Sequence, residues 1–363
     1  MPQLFDEGER YRGEQVEKFV ESLLTKTGLP SEDAALTART LVEANLRGVD
    51  SHGISRVGIY VERIQKGLAN ATTHVTTISD AGACALLDAN NGVGQVVAIK
   101  AMELAIEKAR RYGVGVIGVR NNNHIGALAY YPMMAAEQEM IGFAAANGGP
   151  AMAPWGSVTP FFGPNPFSIA FPGGEEDPVV VDMATSVVAR GNIILAAKKG
   201  MKVPLGWAIG ANGKPTEDPE EALKGLVLPM GGYKGYAIAT AIDILVGILT
   251  GGAFGPGVGN LYKDMERSHE GGNLFGAIDI GRFVSLGTFR SRVDEMVRSI
   301  HSSTPADGVN KIFVPGEIEM GRRQERLSRG IPLDASVVEE LTELGKAFSL
   351  PFPSPIRSHS NGH

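Results

Sequence analysis

The chain has 363 residues, enough for two domains and a large core, which excludes a small disulfide scaffold or a lone recognition module. Apolar residues make up 43% and charged residues 20%, the balance of a folded globular protein rather than a disordered or membrane chain. Lys and Arg number 34 against 40 Asp and Glu, for a net charge of −6 with the basic residues scattered, so no footprint for a nucleic-acid backbone is expected.

The 47 glycines imply many tight turns or close backbone approaches. The single Cys84 cannot form an intrachain disulfide and reads as a small core residue. A reducing, cytoplasmic setting fits. The acidic start MPQLFDEGERYRGEQ has the character of neither a secretory signal nor a transit peptide. The longest apolar run, 237–249, contains Asp243 and falls short of the ~18 residues of a spanning helix.

In chain order, Val16, Phe19, Val20, Leu23 and Leu24 predict a helix over 14–25. A second helix is predicted over 31–47, capped by Ser31 and stopped by Gly48. From Thr76 the texture changes to strand, helix (95–112) and strand (VGVIGV). IGFAAAN, SIAFP and PVVVDMATS are short apolar segments between Gly/Pro loops and suit strands. Asn212-Gly213 marks a hairpin. Residues 236–250 read as a buried helix and 251–276 as a glycine-dense, mobile loop. A strand GAIDIGRFV follows, then helices near 289–301 and 334–347, and a frayed tail.

Four segments could carry chemistry. If a helix begins at Asp50 or Ser51, Ile54, Val57, Val61 and Ile64 share one face, and His52, Arg56, Tyr60 and Arg63 the other. That polar face is either simply solvated or suited to a small acid, since it combines an imidazole, a carboxylate-binding guanidinium and a phenol. Arg120-Asn121-Asn122-Asn123-His124-Ile125-Gly126 closes a strand, where sites on α/β sheets are built, although a hydrogen-bonded turn would use the same residues. Val179 to Asp182, followed by Thr185 and Ser186 at a helix start, offers free N–H groups to a phosphate or ribose, or makes an ordinary turn. Gly231-Gly232-Tyr233-Lys234-Gly235 places a cation at another helix start without the spacing of a phosphate-binding P-loop.

Gly92-Val93-Gly94 imitates a dinucleotide fingerprint but lacks its third glycine and its downstream acid, so it reads as a turn and cap. With no HExxH, CxxC or His-x-His pattern no metal site is expected, and no Gly-x-Ser-x-Gly elbow is present.

The segments RGVDSHGISRV, DANNGVGQ, VRNNNHIGALAYY, GPNPFSIAFP, VVVDMATS, GWAIGANGKPTEDP, LPMGGYKGYAIA and FVPGEIE run in order from Arg47 to Glu319. Together they resemble the type 2 malate/L-lactate dehydrogenase family, which also holds sulfolactate, ureidoglycolate and diketogulonate dehydrogenases and cyclic imine reductases. The resemblance implies an α/β fold with a non-Rossmann nicotinamide-binding arrangement: a largely antiparallel sheet in a cofactor domain (79–287), and a helical part (1–78) completed by 288–350. Residues 351–363 would be a flexible tail, and the assembly a homodimer. It implies NAD or NADP as cofactor, a small acidic substrate, and neither a nucleic-acid nor a membrane partner. By matching positions, His124 or His52 would be the catalytic acid. Ser51, Arg56 and Tyr60 would line the substrate pocket, and Gly148, Asp182, Met183, Ala184, Lys234, Pro315, Gly316 and Glu317 would contact the dinucleotide. Two departures stand out: Asn122 replaces a common Ser, and Pro164 replaces the usual Thr of a Gly-Thr-Asn-Pro turn. Hydride transfer to a 2-oxo acid is the implied activity, with reduction of a cyclic 2-imino acid as the alternative.

Overall fold

The computed structural model describes residues 8–198 and 200–356. A short strand β1 (Glu9–Tyr11) leads into α1 (Gly13–Lys26), α2 (Ser31–Leu46) and α3 (Val57–Gln65). These three helices bury Val16, Val20, Leu24, Leu41 and Val57 in a first core. Ser31 is the first helical residue rather than the cap; Pro30 takes that position, with no side-chain hydrogen bond.

Next come β2 (Thr76–Ala81), β3 (Cys84–Asp88), α4 (Gly94–Tyr112), β4 (Val114–Asn122), α5 (Tyr130–Glu137) and β5 (Met140–Ala146). They are followed by β6 (Phe167–Phe171), β7 (Val179–Met183), α6 (Arg190–Lys198), β8 (Ala208–Ile209), α7 (Pro219–Lys224), β9 (Leu226–Val227) and α8 (Tyr233–Asp243). The chain closes with β10 (Gly271–Asp279), α9 (Leu286–His301), α10 (Glu317–Arg329), β11 (Ile331–Leu333) and α11 (Ala335–Ala347).

The central sheet has the order β2-β3-β4-β10-β5-β6-β7. Only β3 and β4 run parallel, joined by α4 as a crossover helix, and every other pairing is antiparallel. This is the α/β, mostly antiparallel sheet that the sequence led us to expect. A second core, with Met102, Ile117, Tyr131 and Phe275 fully buried, lies between the sheet and α4 and α5.

Several expectations need correction. The central strand β10 begins at Gly271, inside the segment read as a mobile loop, and stops at Asp279, so the end of the expected strand GAIDIGRFV is instead a 3-10 turn, Ile280–Arg282. Its glycines are required there: a Cβ at Gly276 would lie 2.0 Å from the Phe143 ring, and one at Gly272 1.8 Å from the Val246 carbonyl oxygen. The helix expected over 236–250 ends as α at Asp243, continues as a π turn over Ile244–Ile248, and is not buried throughout. Ile244, Ile248 and Leu249 stand exposed at 48%, 54% and 66%. Cys84 is exposed, at the first residue of β3 and paired with Ala81 of the edge strand β2.

Helices α5, α7 and α10 were not anticipated. The turn at Asn212-Gly213 is present, with Gly213 at φ +75 and Gly210 N–H donating to the Lys214 carbonyl. The tail is packed as far as residue 356: the Phe352 ring meets Tyr11 and Phe19 edge-on at 5.5 and 4.9 Å, and Ile356 N–H donates to the Arg10 carbonyl. Residues 357–363 lie outside the described residues.

Candidate active site

The predicted helix start at Asp50 is instead two 3-10 turns, Asp50–His52 and Ile54–Arg56, separated by Gly53 before α3 begins. A Cβ at Gly53 would fall 2.0 Å from Asn45 Oδ1, which accepts the Ile54 N–H. Asn45 Nδ2 in turn donates to Asp50, whose carboxylate is forked by Arg326 of α10 at 2.7 and 3.1 Å. These contacts shape the segment that carries Ser51, His52 and Arg56.

His124 arrives from the other side, at the end of β4. Its loop is held by Asn122 Nδ2 donating to Asn273 and by Asn123 Nδ2 donating to the Asn91 and Gly92 carbonyls. The start of α4 presses against it, since a Cβ at Gly94 would sit 2.3 Å from the His124 carbonyl oxygen. The Gly92-Val93-Gly94 turn therefore allows close approach to the histidine loop, a role beyond that of a plain cap.

His52 and His124 stack with ring centroids 5.6 Å apart and planes 23° from parallel. Ser51 Oγ lies 2.9 Å from His52 Nδ1, and Tyr60 Oη lies 2.6 Å from His124 Nδ1, to which Gly126 N–H also donates at 3.2 Å. Crowding by protein atoms favours the neutral imidazoles. It pushes His52 down to about 3, with Arg56 adding to the effect, and holds His124 well below its ordinary value, with Arg56, His52 and His269 adding. Burial raises the Tyr60 phenol above its ordinary value against the opposing charge of Arg56.

Arg56 Nε donates to the Ser51 carbonyl at 2.7 Å, its Nη1 meets Tyr262 Oη, and its guanidinium carbon lies 5.0 Å from the centre of that ring. A carboxylate fork can therefore use only the Nη edge. Arg63, expected on the polar face, is instead 2% exposed and donates to the carbonyls of Leu261, Asp264 and Arg267. It straps the 261–267 loop, and with it Tyr262, against α3. His269 is buried beside the site, its Nδ1 2.6 Å from the Gly259 carbonyl oxygen.

Of the residues expected at the dinucleotide, Gly148 and 182–184 lie together where β5 ends, β6 begins and β7 ends, while Pro315, Gly316 and Glu317 lie by Val180, toward the other end of β7. Gly148 N–H donates to Asn165 Oδ1, the Pro164 carbonyl accepts both the N–H and the hydroxyl of Thr185, and Met230 N–H donates to the Thr185 carbonyl. Pro164 thus pins two loops through its carbonyl, even though a Thr hydroxyl and N–H are lost there. Asp182, Met183 and Ala184 run past this junction, and Lys234 is exposed in the first turn of α8. Pro315 and Gly316 lie alongside β7, where the Pro315 carbonyl accepts Val180 N–H.

Two carboxylates are engaged locally. Asp182 accepts Ala129 N–H. Glu317 is tied to Lys311, His301 and Val314 N–H, which hold it down to about 2 against the upward effect of its burial.

Gln95, His269 and Tyr262 complete the neighbourhood and were not singled out from sequence. Only Gln95, next to the Gly-x-Gly turn, carried a local signal. Among the described residues no cluster of three metal-ligating side chains occurs, and no helix is long and apolar enough to cross a membrane.

A family model described as malate/L-lactate dehydrogenase matches residues 12–342. The chain is 42% identical over 332 residues to the L-sulfolactate dehydrogenase of Methanocaldococcus jannaschii, covering 91% of this chain and 95% of that protein. Its fold superposes on the crystal structure of malate dehydrogenase from Entamoeba histolytica with a TM-score of 0.92 at 31% identity, covering 96% and 100% of the two chains. It superposes on the delta1-piperideine-2-carboxylate reductase of Pseudomonas syringae with a TM-score of 0.83 at 29% identity, covering 93% and 99%.

Proposed function

We propose, from the premise that the chain belongs to the malate/L-lactate dehydrogenase family, that it reversibly transfers hydride between NAD(P)H and C2 of a small 2-oxo or 2-hydroxy acid. The observation that carries this reading is the convergence of His124, His52, Tyr60 and Arg56 from two separate segments into one site.

The residues present fit a dinucleotide. Its cradle is built where backbone segments approach too closely for a side chain: a Cβ at Gly163 would lie 2.3 Å from the Gly148 carbonyl oxygen, and one at Gly235 2.4 Å from that of Met230. Gly316, at φ +92, abuts Val180 in the same way. Lys234 and the free N–H groups at the start of α8 suit a phosphate. Gly148 and the 182–184 segment would hold the remainder, with Pro315 and Gly316 beside β7. Glu317 would act by fixing that turn. The nicotinamide, when bound, supplies or accepts the hydride.

Hydride arriving at a carbonyl carbon leaves negative charge on oxygen, which a nearby N–H donor stabilises and then neutralises. His124 is the residue we assign to this task, with His52 packed against it and tied to Ser51. The Nη edge of Arg56 would hold the substrate carboxylate and so orient C2. Arg56→Lys should raise KM for the acid strongly with little effect on nucleotide binding, because an ammonium cannot form the fork. An unchanged KM would remove that role.

For the two-part division, 79–287 for cofactor and 1–78 with 288–350 for the helical part, support comes from the helical core that Ile331, Leu333 and Leu341 join, whereas Val297 of α9 and Val314 pack on Val179 of β7. The exposed Ile244, Ile248 and Leu249 suit the face of a homodimer. Reduction of a cyclic 2-imino acid is the second reading, favoured by the superposition on the piperideine-2-carboxylate reductase. Titrating protein fluorescence with NADH and NADPH, then adding 2-oxo acids and cyclic imines, tests both readings. We expect saturable nucleotide binding and oxidation by at least one acid. Turnover of imines alone selects the second reading, and failure to bind either nucleotide overturns both.

A further inference from the structure

We infer that Tyr60 is a proton-relay residue, donating through a His124 ring whose tautomer is fixed by the backbone of Gly126. The inference rests on the functional reading above and extends it to a second proton.

A main-chain N–H can only donate. Gly126 N–H points at His124 Nδ1 from 3.2 Å, so that nitrogen is an acceptor and the ring proton sits on Nε2. Tyr60 Oη, 2.6 Å from the same Nδ1, must then donate its hydroxyl proton to it. The loop geometry makes this arrangement possible: Gly126 adopts φ +72, a left-handed conformation that favours glycine. Neutral His124 thus presents an N–H at Nε2 while its far side already receives a second acidic proton.

The protons balance in two steps. As hydride reaches C2, the carbonyl π pair moves to oxygen, which takes the Nε2 proton of His124. Nδ1 takes the Tyr60 proton, leaving a phenolate and an imidazole in the opposite tautomer. That tautomer sets Nδ1–H against Gly126 N–H, which disfavours it. When the hydroxy acid leaves, water delivers a proton to Nε2 and the Nδ1 proton returns to Tyr60. Oxidation runs the same sequence in reverse.

Without the tyrosine, a neutral histidine giving up Nε2–H would become an anion. With it, the charge rests on a phenolate, a weaker base than the alkoxide it replaces. Gln95 works toward that phenolate against the burial that otherwise keeps Tyr60 neutral: its amide faces Tyr60, and its Nε2 is buried without a hydrogen-bond partner. Gln95, Tyr60 and His124 line one cavity of about 30 Å³, room for a water or two. The other charged or titratable groups facing the pair are Arg56, His52, His269, Tyr262 and Tyr131. Tyr60 itself is 9% exposed, so its proton returns through His124 rather than directly from bulk water.

Two measurements test the relay. In 15N-histidine-labelled protein without cofactor, long-range proton–nitrogen spectra at pH 7 should show His124 neutral, with Nε2 protonated and Nδ1 bare. A proton on Nδ1, or a charged ring, overturns the proposal. In single-turnover reduction, Tyr60→Phe should lower the rate by ~10²-fold, the lower end of what a general acid contributes. KM for the acid and Kd for the nucleotide should stay unchanged. A raised KM with unaltered rate would make Tyr60 a pocket wall and nothing more. Should the phenylalanine chain fail to fold, the wild-type proton inventory in mixed H2O and D2O decides: a bowed plot is expected for two moving protons, and a straight one overturns the relay. The spectrum needs no turnover, so it separates a failure of the relay from a failure of the dehydrogenase reading.

Discussion

His124→Ala should reduce kcat by ~10²–10⁴, the usual worth of a general acid, while NADH or NADPH binds about as before. The ring makes its two contacts through Nδ1, to Tyr60 and Gly126, which leaves Nε2 for the reacting oxygen. The loop does not depend on the ring. Asn122 stays bonded to Asn273, Asn123 to the Asn91 and Gly92 carbonyls, and Tyr131 to the Ile125 carbonyl. The loss therefore falls on the chemical step, and a melting curve close to wild type should accompany it. His52→Ala should cost less, since among the described residues His52 meets only Ser51 through hydrogen bonding and otherwise stacks on His124. Near wild-type kcat in His124→Ala, with a large loss in His52→Ala alone, reverses the assignment.

The features legible from sequence were those set by local pattern. The apolar spacing of α1, α2 and α4 and the β-branched runs of β4 and β7 fold as their periodicity requires, because each buries one face or both against a near neighbour. The i, i+4 spacing of His52, Arg56 and Tyr60 would align them on one helix; in the structure the two 3-10 turns carry the first two and α3 the third. They still share a neighbourhood around His124. His124 was recognisable as a residue costly to place in a mere connector.

What stayed hidden was long-range. Strand β10 pairs with β4 and β5 across gaps of about 130 to 160 residues, and its glycines, demanded by Phe143 and the Val246 carbonyl, look like loop in one dimension. Arg63 seemed to be a solvated charge because its partners are backbone carbonyls of a loop some 200 residues away. Helix α10 has little apolar pattern of its own, and it is anchored by charge: Arg323 to Glu43 and Arg326 to Asp50. A hydrophobic periodicity cannot report such anchors.

Asp50→Ala should be the most destabilising single change near the site, at about 3–5 kcal/mol, the cost of removing one partner from a buried ion pair. The Arg326 side chain is 2% exposed and the Asp50 side chain 14%, so little water can reach the guanidinium once the carboxylate is gone. The aspartate also accepts from Asn45 Nδ2 at 2.6 Å, and Asn45 Oδ1 receives Ile54 N–H. Its loss therefore loosens the two turns that carry Ser51, His52 and Arg56. Urea unfolding should show the drop in stability, and the folded fraction should have a raised KM for the acid. Arg326→Met alone removes the charge that needs pairing but leaves Asp50 its asparagine. Combined with Asp50→Ala, it should recover part of the loss, because removing both members of the pair costs less than removing the carboxylate alone. A deficit below about 1 kcal/mol in Asp50→Ala, the range of an exposed pair, would mean that α10 is not held to the site by this contact and that the turns derive their shape from Gly53 and Asn45 alone.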